Sequence, residues 1–517
     1  MKQPKSKSVV FTNWVAKFLN SSRSFYLALG LFFMSSAWIA VSSLYPMAYD
    51  EEYHFGLIKL YATRLTPFWS SNPPGEAIFG AVARDPSYLF HYLLSFPYRL
   101  LDTLVPSEFA QILILRFTNI IFFAIGILLI RKVLLNSGLS RRISHASLLI
   151  FVLLPIVPLL AAHINYDNLL FPLFGLVLWQ TQIFTRKLKA SKSFDAKSFA
   201  IITLASMFGS LVKYAFLPFV IGIVGYLLYV SLKTYQKKTI AAFWKDVNIS
   251  FTSLSKRFKY VAIIFFIVLF GLFLERYAIN TIQYSKPIPE CDQVLSIEEC
   301  KAWGPWRRNY YTKQAKLENR LEKNFSTNPG RYLVTLWLSQ TTFQFFFALD
   351  GPTFDFRVGE PFRILRNSSV IIMLLGLVLI VYQRKYMKQQ YQFGLYWTVI
   401  ATYLGALFIL NYSEFINIGY PFAIQGRYLI PVLPLIIGMM VAAFSRTISN
   451  KNLSAKIYMF IAAFLILLTQ GGGAGTFIMR SSDSWYWNSP YTRFINHQAR
   501  NVLKIVNIDK RPPQNTE

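Results

Sequence analysis

Residues 25–46 read FYLALGLFFMSSAWIAVSSLYP, an apolar run without a single charged side chain. A bilayer core about 30 Å thick needs roughly 20 apolar residues per helix, so this run is long enough to cross a membrane. It is too long for the apolar part of a signal peptide and lacks a small-residue cleavage site, so we expect a retained anchor. The residues before it carry five cations: Lys2, Lys5, Lys7, Lys17 and Arg23.

Similar apolar runs recur along the chain, and each predicts a membrane-spanning helix. Composition agrees: the 517 residues are 54% hydrophobic and 15% charged, whereas soluble domains carry about 25% charged residues. With Gly 25, Pro 24 and Cys 2, collagen-like, disordered and disulfide-scaffold classes are excluded. We predict an all-α polytopic membrane protein with about 11 spans, near 25–46, 109–130, 146–164, 168–185, 198–212, 215–231, 260–278, 369–383, 392–411, 428–445 and 457–478.

The chain carries a formal charge of +29, from 53 Lys and Arg against 24 Asp and Glu. Short cytoplasmic loops collect Lys and Arg, so this excess need not indicate nucleic acid. With the N-terminus inside, alternate loops contain most basic residues, and Asp195 and Asp246 are the only acids there. We therefore predict a multi-pass cell-membrane protein with a cytoplasmic N-terminus, an extracytoplasmic C-terminus and no nucleic-acid partner.

The predicted topology divides the chain into a cytoplasmic N-terminus (1–24), a transmembrane domain (25–478) and an outer tail (479–517). Residues 47–108 form a first outer loop, whose segments 50–63 and 87–101 have the amphipathic pattern of interfacial helices. Residues 279–368 form a second, larger outer loop. Its Cys291 and Cys300 could form a disulfide, which an extracytoplasmic position allows. Two free thiols, or a loop on the cytoplasmic side, are the alternatives.

An acidic segment, Tyr49-Asp50-Glu51-Glu52-Tyr53-His54, follows the first span. On a helix, Asp50 and Glu51 lie one turn before His54, so carboxylates and an imidazole would share a face. Such a face could provide a general base, or a site for a divalent metal such as Mg²⁺ or Mn²⁺ held by Asp50, Glu51 and His54. The alternative is a helix N-terminus, where acids complement the helix dipole.

Three further charged residues lie beside spans on the predicted outer side. Asp167 is in the polar turn 163–168, which could instead be a simple hairpin turn. Lys213 lies where few lysines are expected, and it either binds an anion or snorkels to the interface. Arg427 opens a span at a helix start that favours phosphate, unless it forms a structural ion pair with Glu414.

Outer carboxylates and outer cations together indicate transfer of a group from a lipid-borne phosphate. One carboxylate would deprotonate the acceptor hydroxyl, while the cations hold the departing phosphate. Because phosphate is a good leaving group, the reaction needs no strong general acid.

The sequence resembles the bacterial branch of the GT-C glycosyltransferases, more closely a group of bacterial membrane proteins within it. The resemblance lies in Asp50-Glu51-x-x-His54, Asn165-Tyr166-Asp167, Lys213 and Gln425-Gly426-Arg427-Tyr428-Leu429-x-Pro431, in that order. It implies transfer, with inversion, of a hexosyl or pentosyl unit from a polyprenyl-phosphate (dolichyl-phosphate-type) donor to a glycan, lipid or protein acceptor. A proline often precedes the catalytic Asp in this superfamily, whereas Tyr49 stands here.

The resemblance also implies roles for individual residues. Asp50, helped by Glu51, would be the catalytic carboxylate of the first outer loop, and Asp167 would be the second carboxylate on the outer side. Donor-phosphate contacts fall on Lys213, Arg427 and Tyr428, with His54 and Gln425 in support.

Three other functions remain open at this point. A transporter or flippase of lipid-linked glycans would need charges at mid-bilayer and paired half-chain repeats, and we find no repeat. A glycan polymerase or ligase with a diphosphate-linked donor would need similar outer residues. A membrane scaffold would not need outer cations.

Overall fold

The computed structural model describes residues 7–47, 50–235, 240–321, 325–342, 363–390, 392–422, 424–448, 452–480 and 489–506. In these ranges every regular element is a helix, which agrees with the predicted all-α class. Parts of the predicted N-terminus, second outer loop and tail lie outside the described residues, as does Tyr49.

The first half of the described chain contains twelve helices when short 3-10 turns are set aside. They are α1 Lys7–Asn20, α2 Ser22–Ser42, α3 Glu51–Ala62, α4 Leu89–Leu104, α5 Glu108–Asn136, α6 Arg141–Leu153, α7 Ile156–Ala161, α8 Asp167–Ser191, α9 Ala196–Val212, α10 Leu217–Tyr235, α11 Ile240–Thr252 and α12 Lys256–Phe273.

The second half begins with the π-helical turn Leu274–Ala278 and continues the series. Its helices are α13 Ile279–Tyr284, α14 Cys291–Val294, α15 Ile297–Cys300, α16 Gly304–Leu317, α17 Pro329–Arg331, the π-helix Tyr332–Leu338, α18 Arg363–Tyr382, α19 Arg384–Gln390, α20 Phe393–Ile418, α21 Leu433–Thr447, α22 Leu453–Thr469, α23 Gly475–Arg480 and α24 Pro490–Val506. Four 3-10 turns lie at Glu76–Phe79, Val82–Arg84, Tyr214–Phe216 and Gly426–Leu429.

Among the described residues, five helical stretches are long and apolar enough to cross a membrane: Ser22–Ser42, Glu108–Asn136, Tyr214–Tyr235, Lys256–Tyr284 and Phe393–Ile418. Shorter apolar helices occupy Ala196–Val212, Met373–Tyr382, Leu433–Thr447 and Leu453–Thr469. Each predicted span overlaps a described helix, but eleven crossings remain a prediction.

Three predicted spans differ from the helices found. The span at 428–445 begins late, because its helix α21 starts at Leu433, and Arg427 lies in the preceding 3-10 turn Gly426–Leu429 rather than at the start of the α-helix. The span at 146–164 is interrupted, because α6 ends at Leu153 and the separate short helix α7 begins at Ile156. The residue between them, Pro155, has no amide hydrogen and cannot continue the hydrogen bonding of α6. The span at 457–478 ends early, at Thr469. There Gly471 and Gly473 take φ values of 106° and 60°, which favour glycine and end the helix.

Close packing between α5 and α8 fixes the framework on which the polar residues lie. A Cβ on Gly126 of α5 would come within 2.2 Å of the Phe171 ring, and one on Gly175 of α8 within 2.8 Å of Leu129. Only glycine allows this approach, which brings the first residue of α8, Asp167, to the end of α5 nearest α3. We call this end of the bundle the site end.

The predicted first outer loop forms a cap of helices and turns at the site end. Its predicted amphipathic segments 50–63 and 87–101 correspond to α3 and α4, which pack against each other. The fully buried Arg276 donates hydrogen bonds to the carbonyls of Ala83 (2.6 Å) and Pro67 (3.0 Å), and its guanidinium lies over the Tyr88 ring. The π-helical turn thereby holds the loop in place.

The second outer loop packs onto the first. Cys291 and Cys300 form a disulfide, one of the possibilities that the sequence left open, and Trp303 follows shortly after this short loop. A Cβ added at Gly80, in the first loop, would lie 3.0 Å from the Trp303 ring. The two loops therefore contact each other through the Trp303 ring and Gly80, whose missing side chain leaves room for the ring.

Candidate active site

Asp50 and Arg427 meet at the site end. Asp50 immediately precedes α3 and has left-handed backbone angles, φ 61° and ψ 30°. Arg427 lies in the 3-10 turn Gly426–Leu429, and its Nη2 donates a 2.9 Å hydrogen bond to Asp50 Oδ2. The Asp50 side chain is 58% exposed, whereas that of Arg427 is 2% exposed. The carboxylate is thus open to solvent while the cation is buried.

A second acid–base pair is formed by Asp167 and Lys213. Lys213 Nζ donates a 2.7 Å hydrogen bond to Asp167 Oδ1, and the two side chains are 7% and 11% exposed. Asp167 is the first residue of α8, and Lys213 follows the last residue of α9, so helix packing sets this pair. Burial lowers the pKa of Lys213 below its usual value, although the Asp167 carboxylate opposes this.

Tyr428 links the two pairs. Lys213 Nζ lies 4.6 Å from the centre of the Tyr428 ring, and Arg427 Cζ lies 5.4 Å from it. The Tyr403 hydroxyl donates a 2.9 Å hydrogen bond to the Tyr428 carbonyl and so fixes this segment to α20. Two buried cations therefore flank one aromatic ring, and each also contacts a carboxylate.

Gln425 borders the same turn with one polar atom unsatisfied. Its Oε1 is buried and makes no hydrogen bond within the described part of the chain. A buried polar oxygen without a partner is costly, so a donor from a bound molecule would stabilise it.

Glu51 is a structural neighbour of Asp50. Its carboxylate accepts hydrogen bonds from Arg116 Nε (2.8 Å) and Nη2 (2.6 Å), and both side chains are fully buried. It also accepts from the backbone amides of Met47 and Ile164, both at 3.2 Å. Burial alone would raise the pKa of Glu51, but the Arg116 guanidinium outweighs it, and the net pKa is lowered. Glu51 thus ties together three segments of the site end.

His54 is buried in a hydrogen-bonded chain. Its Nδ1 lies 2.8 Å from His91 Nε2, and its Nε2 lies 3.1 Å from Asn165 Nδ2. Asn165 Oδ1 in turn accepts a 2.9 Å hydrogen bond from the Asp167 amide, at the start of α8. Burial and the neighbouring His91 lower the pKa of His54 well below its usual value, so the imidazole is neutral near pH 7.

The metal set proposed from the sequence does not assemble. Asp50, Glu51 and His54 point to three different partners, respectively Arg427, Arg116 and the His91–Asn165 pair. No three His, Cys, Asp or Glu side chains among the described residues are grouped so as to hold a metal ion. In this structure the acids of the two pairs, Asp50 and Asp167, each accept a hydrogen bond from a protein cation.

Other residues of the site end were missed in the sequence. Arg116 could have been noticed, because an arginine inside the apolar run 109–130 needs a partner. His91 gave no signal, since its spacing is that of an ordinary helix face. The alternative ion pair of Arg427 with Glu414 is not the arrangement found: Arg427 pairs with Asp50, and Glu414 accepts a 2.9 Å hydrogen bond from Asn309.

Comparison with known proteins gives little beyond a distant likeness. No family model matches the chain, and no curated protein matches it. A similar solved structure is the archaeal oligosaccharyltransferase AglB from Archaeoglobus fulgidus, in complex with an inhibitory peptide and a dolichol-phosphate. The TM-score is 0.42 at 13% identity, and the match covers 95% of this chain and 61% of that one. The chain thus spans less than two thirds of its neighbour, and a likeness this distant carries no argument about the reaction.

Proposed function

We propose that the protein is a membrane glycosyltransferase that moves a sugar from a polyprenyl-phosphate donor to an acceptor hydroxyl on the extracytoplasmic face. Cell-envelope glycan synthesis or protein glycosylation would use such a reaction. The observation that carries this proposal is the pairing of Asp50 with Arg427 at 2.9 Å beside Asp167 with Lys213 at 2.7 Å.

The buried cations would hold the donor phosphate. A buried charge must be paired, and without a ligand the partners of Arg427 and Lys213 are Asp50 and Asp167. A phosphate entering between them would accept hydrogen bonds from the planar guanidinium and from the ammonium. Arg427 would then transfer its hydrogen bond from Asp50 to the phosphate, and Tyr428 would support both cations through its ring.

Asp50 would be the general base. Its carboxylate is the most solvent-exposed member of the two pairs, so an acceptor hydroxyl can approach it. As Asp50 takes the hydroxyl proton, the acceptor oxygen forms a bond to the anomeric carbon. The bond from that carbon to the phosphate oxygen breaks, and its electron pair leaves with the polyprenyl phosphate. Arg427 and Lys213 stabilise the negative charge that develops there.

The other predicted site residues would position the catalytic and phosphate-binding groups or contact the sugar. Asp167 would hold Lys213 in place and favour its charged form. Glu51, bound to Arg116, would fix the chain at the start of α3 and thereby position Asp50. His54 would position Asn165, whose side-chain oxygen accepts a hydrogen bond from the Asp167 amide, and Gln425 would offer its unpaired oxygen to a sugar hydroxyl.

A transfer assay tests this function. Purified full-length protein in lipid nanodiscs is incubated with radiolabelled polyprenyl-phosphate sugars, polyprenyl-diphosphate sugars and a set of glycan, lipid and peptide acceptors. We expect transfer from a monophosphate donor. Asp50→Asn should lower the rate by about 100-fold or more, as general bases typically contribute.

Glu52→Gln is the matched control, because Glu52 is the exposed acid two positions further along. It should transfer sugar at the wild-type rate. Wild-type transfer by Asp50→Asn would refute the assignment of the base, and transfer from diphosphate donors alone would point to the polymerase or ligase function.

A further inference from the structure

Helix α16 in the second outer loop is strongly basic. It reads GPWRRNYYTKQAKL, with Arg307, Arg308, Lys313 and Lys316 and no acidic residue. The positive-inside rule concerns short loops and the ends of spans, so it makes no prediction for a helix inside this long loop. The basic residues of α16 instead make it a surface that suits an anionic partner.

The helix is held against the site end at two points. Asn309 Nδ2 donates a 2.9 Å hydrogen bond to Glu414 Oε1, and Lys316 Nζ donates to the Ile416 carbonyl, both near the end of α20. Gly419, just beyond, has φ 86° and leaves room for the Lys316 side chain, since a Cβ there would lie 2.9 Å from Lys316 Cδ. The position of α16 is thus fixed relative to the segment that leads into Arg427.

Arg308 packs against the segment that leads into Arg427. Its Cζ lies 4.0 Å from the centre of the Phe422 ring, which comes shortly before the Gln425–Arg427 turn. Burial lowers the pKa of Arg308, while the charges of Glu414 and Asp50 oppose this. Arg308 remains exposed, as Asp50 does, whereas the paired cations Lys213 and Arg427 are buried. Arg308 is therefore an exposed cation beside the segment that leads into Arg427.

Aromatic rings also lie on α16. The rings of Trp306 and Tyr310 stack at 5.0 Å, but each residue is two positions from Arg308 and so lies on the other side of the helix. Tyr311, three positions after Arg308 and 54% exposed, shares the Arg308 face. Flat aromatic surfaces with a polar edge suit the apolar faces of sugars, and guanidinium groups suit carboxylate or phosphate. Arg307 and Lys313 are exposed beside them.

We propose that α16 binds the acceptor, and that this acceptor is an anionic glycan whose carboxylate or phosphate group contacts Arg308 while its hydroxyl reaches Asp50. This inference rests on the proposed function and adds the chemical class of the acceptor. The donor phosphate belongs to the buried pair Lys213 and Arg427, so the two anions of the reaction contact different cations.

Binding to the full-length protein in zwitterionic nanodiscs tests the proposal. The probes are oligogalacturonate, which carries carboxylates, phosphorylated maltoheptaose, and neutral maltoheptaose; a fourth probe, farnesyl phosphate, stands for the donor. Wild type should bind at least one anionic oligosaccharide more tightly than neutral maltoheptaose, and which one identifies the anionic group. Arg308→Gln should weaken that binding about tenfold, the usual effect of losing a hydrogen bond to a charged group.

Matched variants separate this proposal from the proposed function. Lys286→Gln removes one exposed cation from the same loop and should leave oligosaccharide binding unchanged. Arg308→Lys keeps the charge without the planar group and should give an intermediate affinity. Arg427→Gln should lose farnesyl phosphate, and Arg308→Gln should retain it.

The outcomes distinguish the two ideas. Unchanged binding of anionic oligosaccharides by Arg308→Gln, or an equal loss with Lys286→Gln, would overturn the acceptor proposal. The acceptor proposal would also be overturned if Arg308→Gln lost farnesyl phosphate binding as fully as Arg427→Gln does, because Arg308 would then belong to the donor site. If wild type does not bind farnesyl phosphate, the proposed function fails, while the oligosaccharide measurements still decide about α16.

Discussion

Arg427 Nη2 donates a 2.9 Å hydrogen bond to Asp50 Oδ2, although 377 residues separate the two in the sequence. Asp50 immediately precedes α3, the first helix of the cap, and Arg427 lies in the 3-10 turn that leads into α21, one of the last helices of the bundle. The contact therefore depends on the whole helical framework, and it brings the acid and the cation of the proposed reaction together.

Arg427→Ala should impair use of the donor more than use of the acceptor. The variant removes a buried guanidinium that we place on the departing phosphate, so KM for the donor should rise and kcat should fall. Loss of a hydrogen bond to a charged group corresponds to about tenfold or more in kcat/KM for the donor. Steady-state kinetics with each substrate varied in turn measures this. Equal changes for both substrates would count against a phosphate role.

Activity should depend on pH through Lys213. Burial lowers the pKa of this lysine below 10.5, so its charge is lost at a lower pH than that of an exposed lysine. Because the charged form holds the phosphate, KM for the donor should increase as the pH rises through the lowered pKa. Lys213→Arg keeps its charge at alkaline pH and should move this increase to higher pH. An identical alkaline limb in both proteins would show that another group is responsible.

The Glu51–Arg116 pair should be essential for stability. Glu51→Ala leaves a fully buried guanidinium without its carboxylate, which typically costs about 3–5 kcal/mol. The midpoint of thermal unfolding in detergent should fall strongly for this variant and little for Glu52→Ala. A midpoint equal to that of wild type would contradict the structural role.

The Glu51–Arg116 pair should also make the stability of the folded protein depend on pH in the acidic range. The pKa of Glu51 is lowered in the folded protein, so its contribution is complete above the unfolded value of 4.5 and is lost as the pH falls through the folded value. Glu51→Gln should therefore lose less stability than wild type between neutral and acidic pH. Unfolding midpoints measured across that range provide the check.

Breaking the Cys291–Cys300 disulfide should loosen the outer cap. Closing a loop with a sequence separation of 9 contributes about 2–3 kcal/mol by restricting the unfolded chain. The variant with both cysteines changed to serine should unfold at a lower temperature, and dithiothreitol should reproduce the effect in wild type only. A reductant effect on the double variant would indicate a different cause.

The sequence predicted the helices and the four principal charged residues for a clear physical reason. Within a bilayer, the backbone N–H and C=O groups of a single apolar run can all be hydrogen-bonded only if the run is a helix. A cation beside the predicted outer surface is also unusual enough to be noticed. Lys213 and Arg427 were identified in this way, and both contact the acids chosen from the sequence.

The remaining features depend on tertiary contacts that local patterns do not reveal. Glu51 and Asp50 are adjacent acids, yet one faces Arg116 in the interior and the other remains exposed. Their difference arises from the left-handed backbone at Asp50 and the packing of α5, which no spacing rule anticipates. The position of Arg308 likewise depends on the packing of α16 beside Phe422, which the local sequence does not indicate.

The positive φ of Asp50 limits which replacements can report on its chemistry. Asn and Asp tolerate this region better than other residues that carry a Cβ, because their short polar groups can bond locally. Alanine or glutamate at position 50 would be expected to shift the peptide units around it and displace the start of the helix. Asparagine is therefore the informative substitution. An inactive alanine variant could have lost either the proton acceptor or the backbone conformation at position 50, and the assay would not separate the two causes.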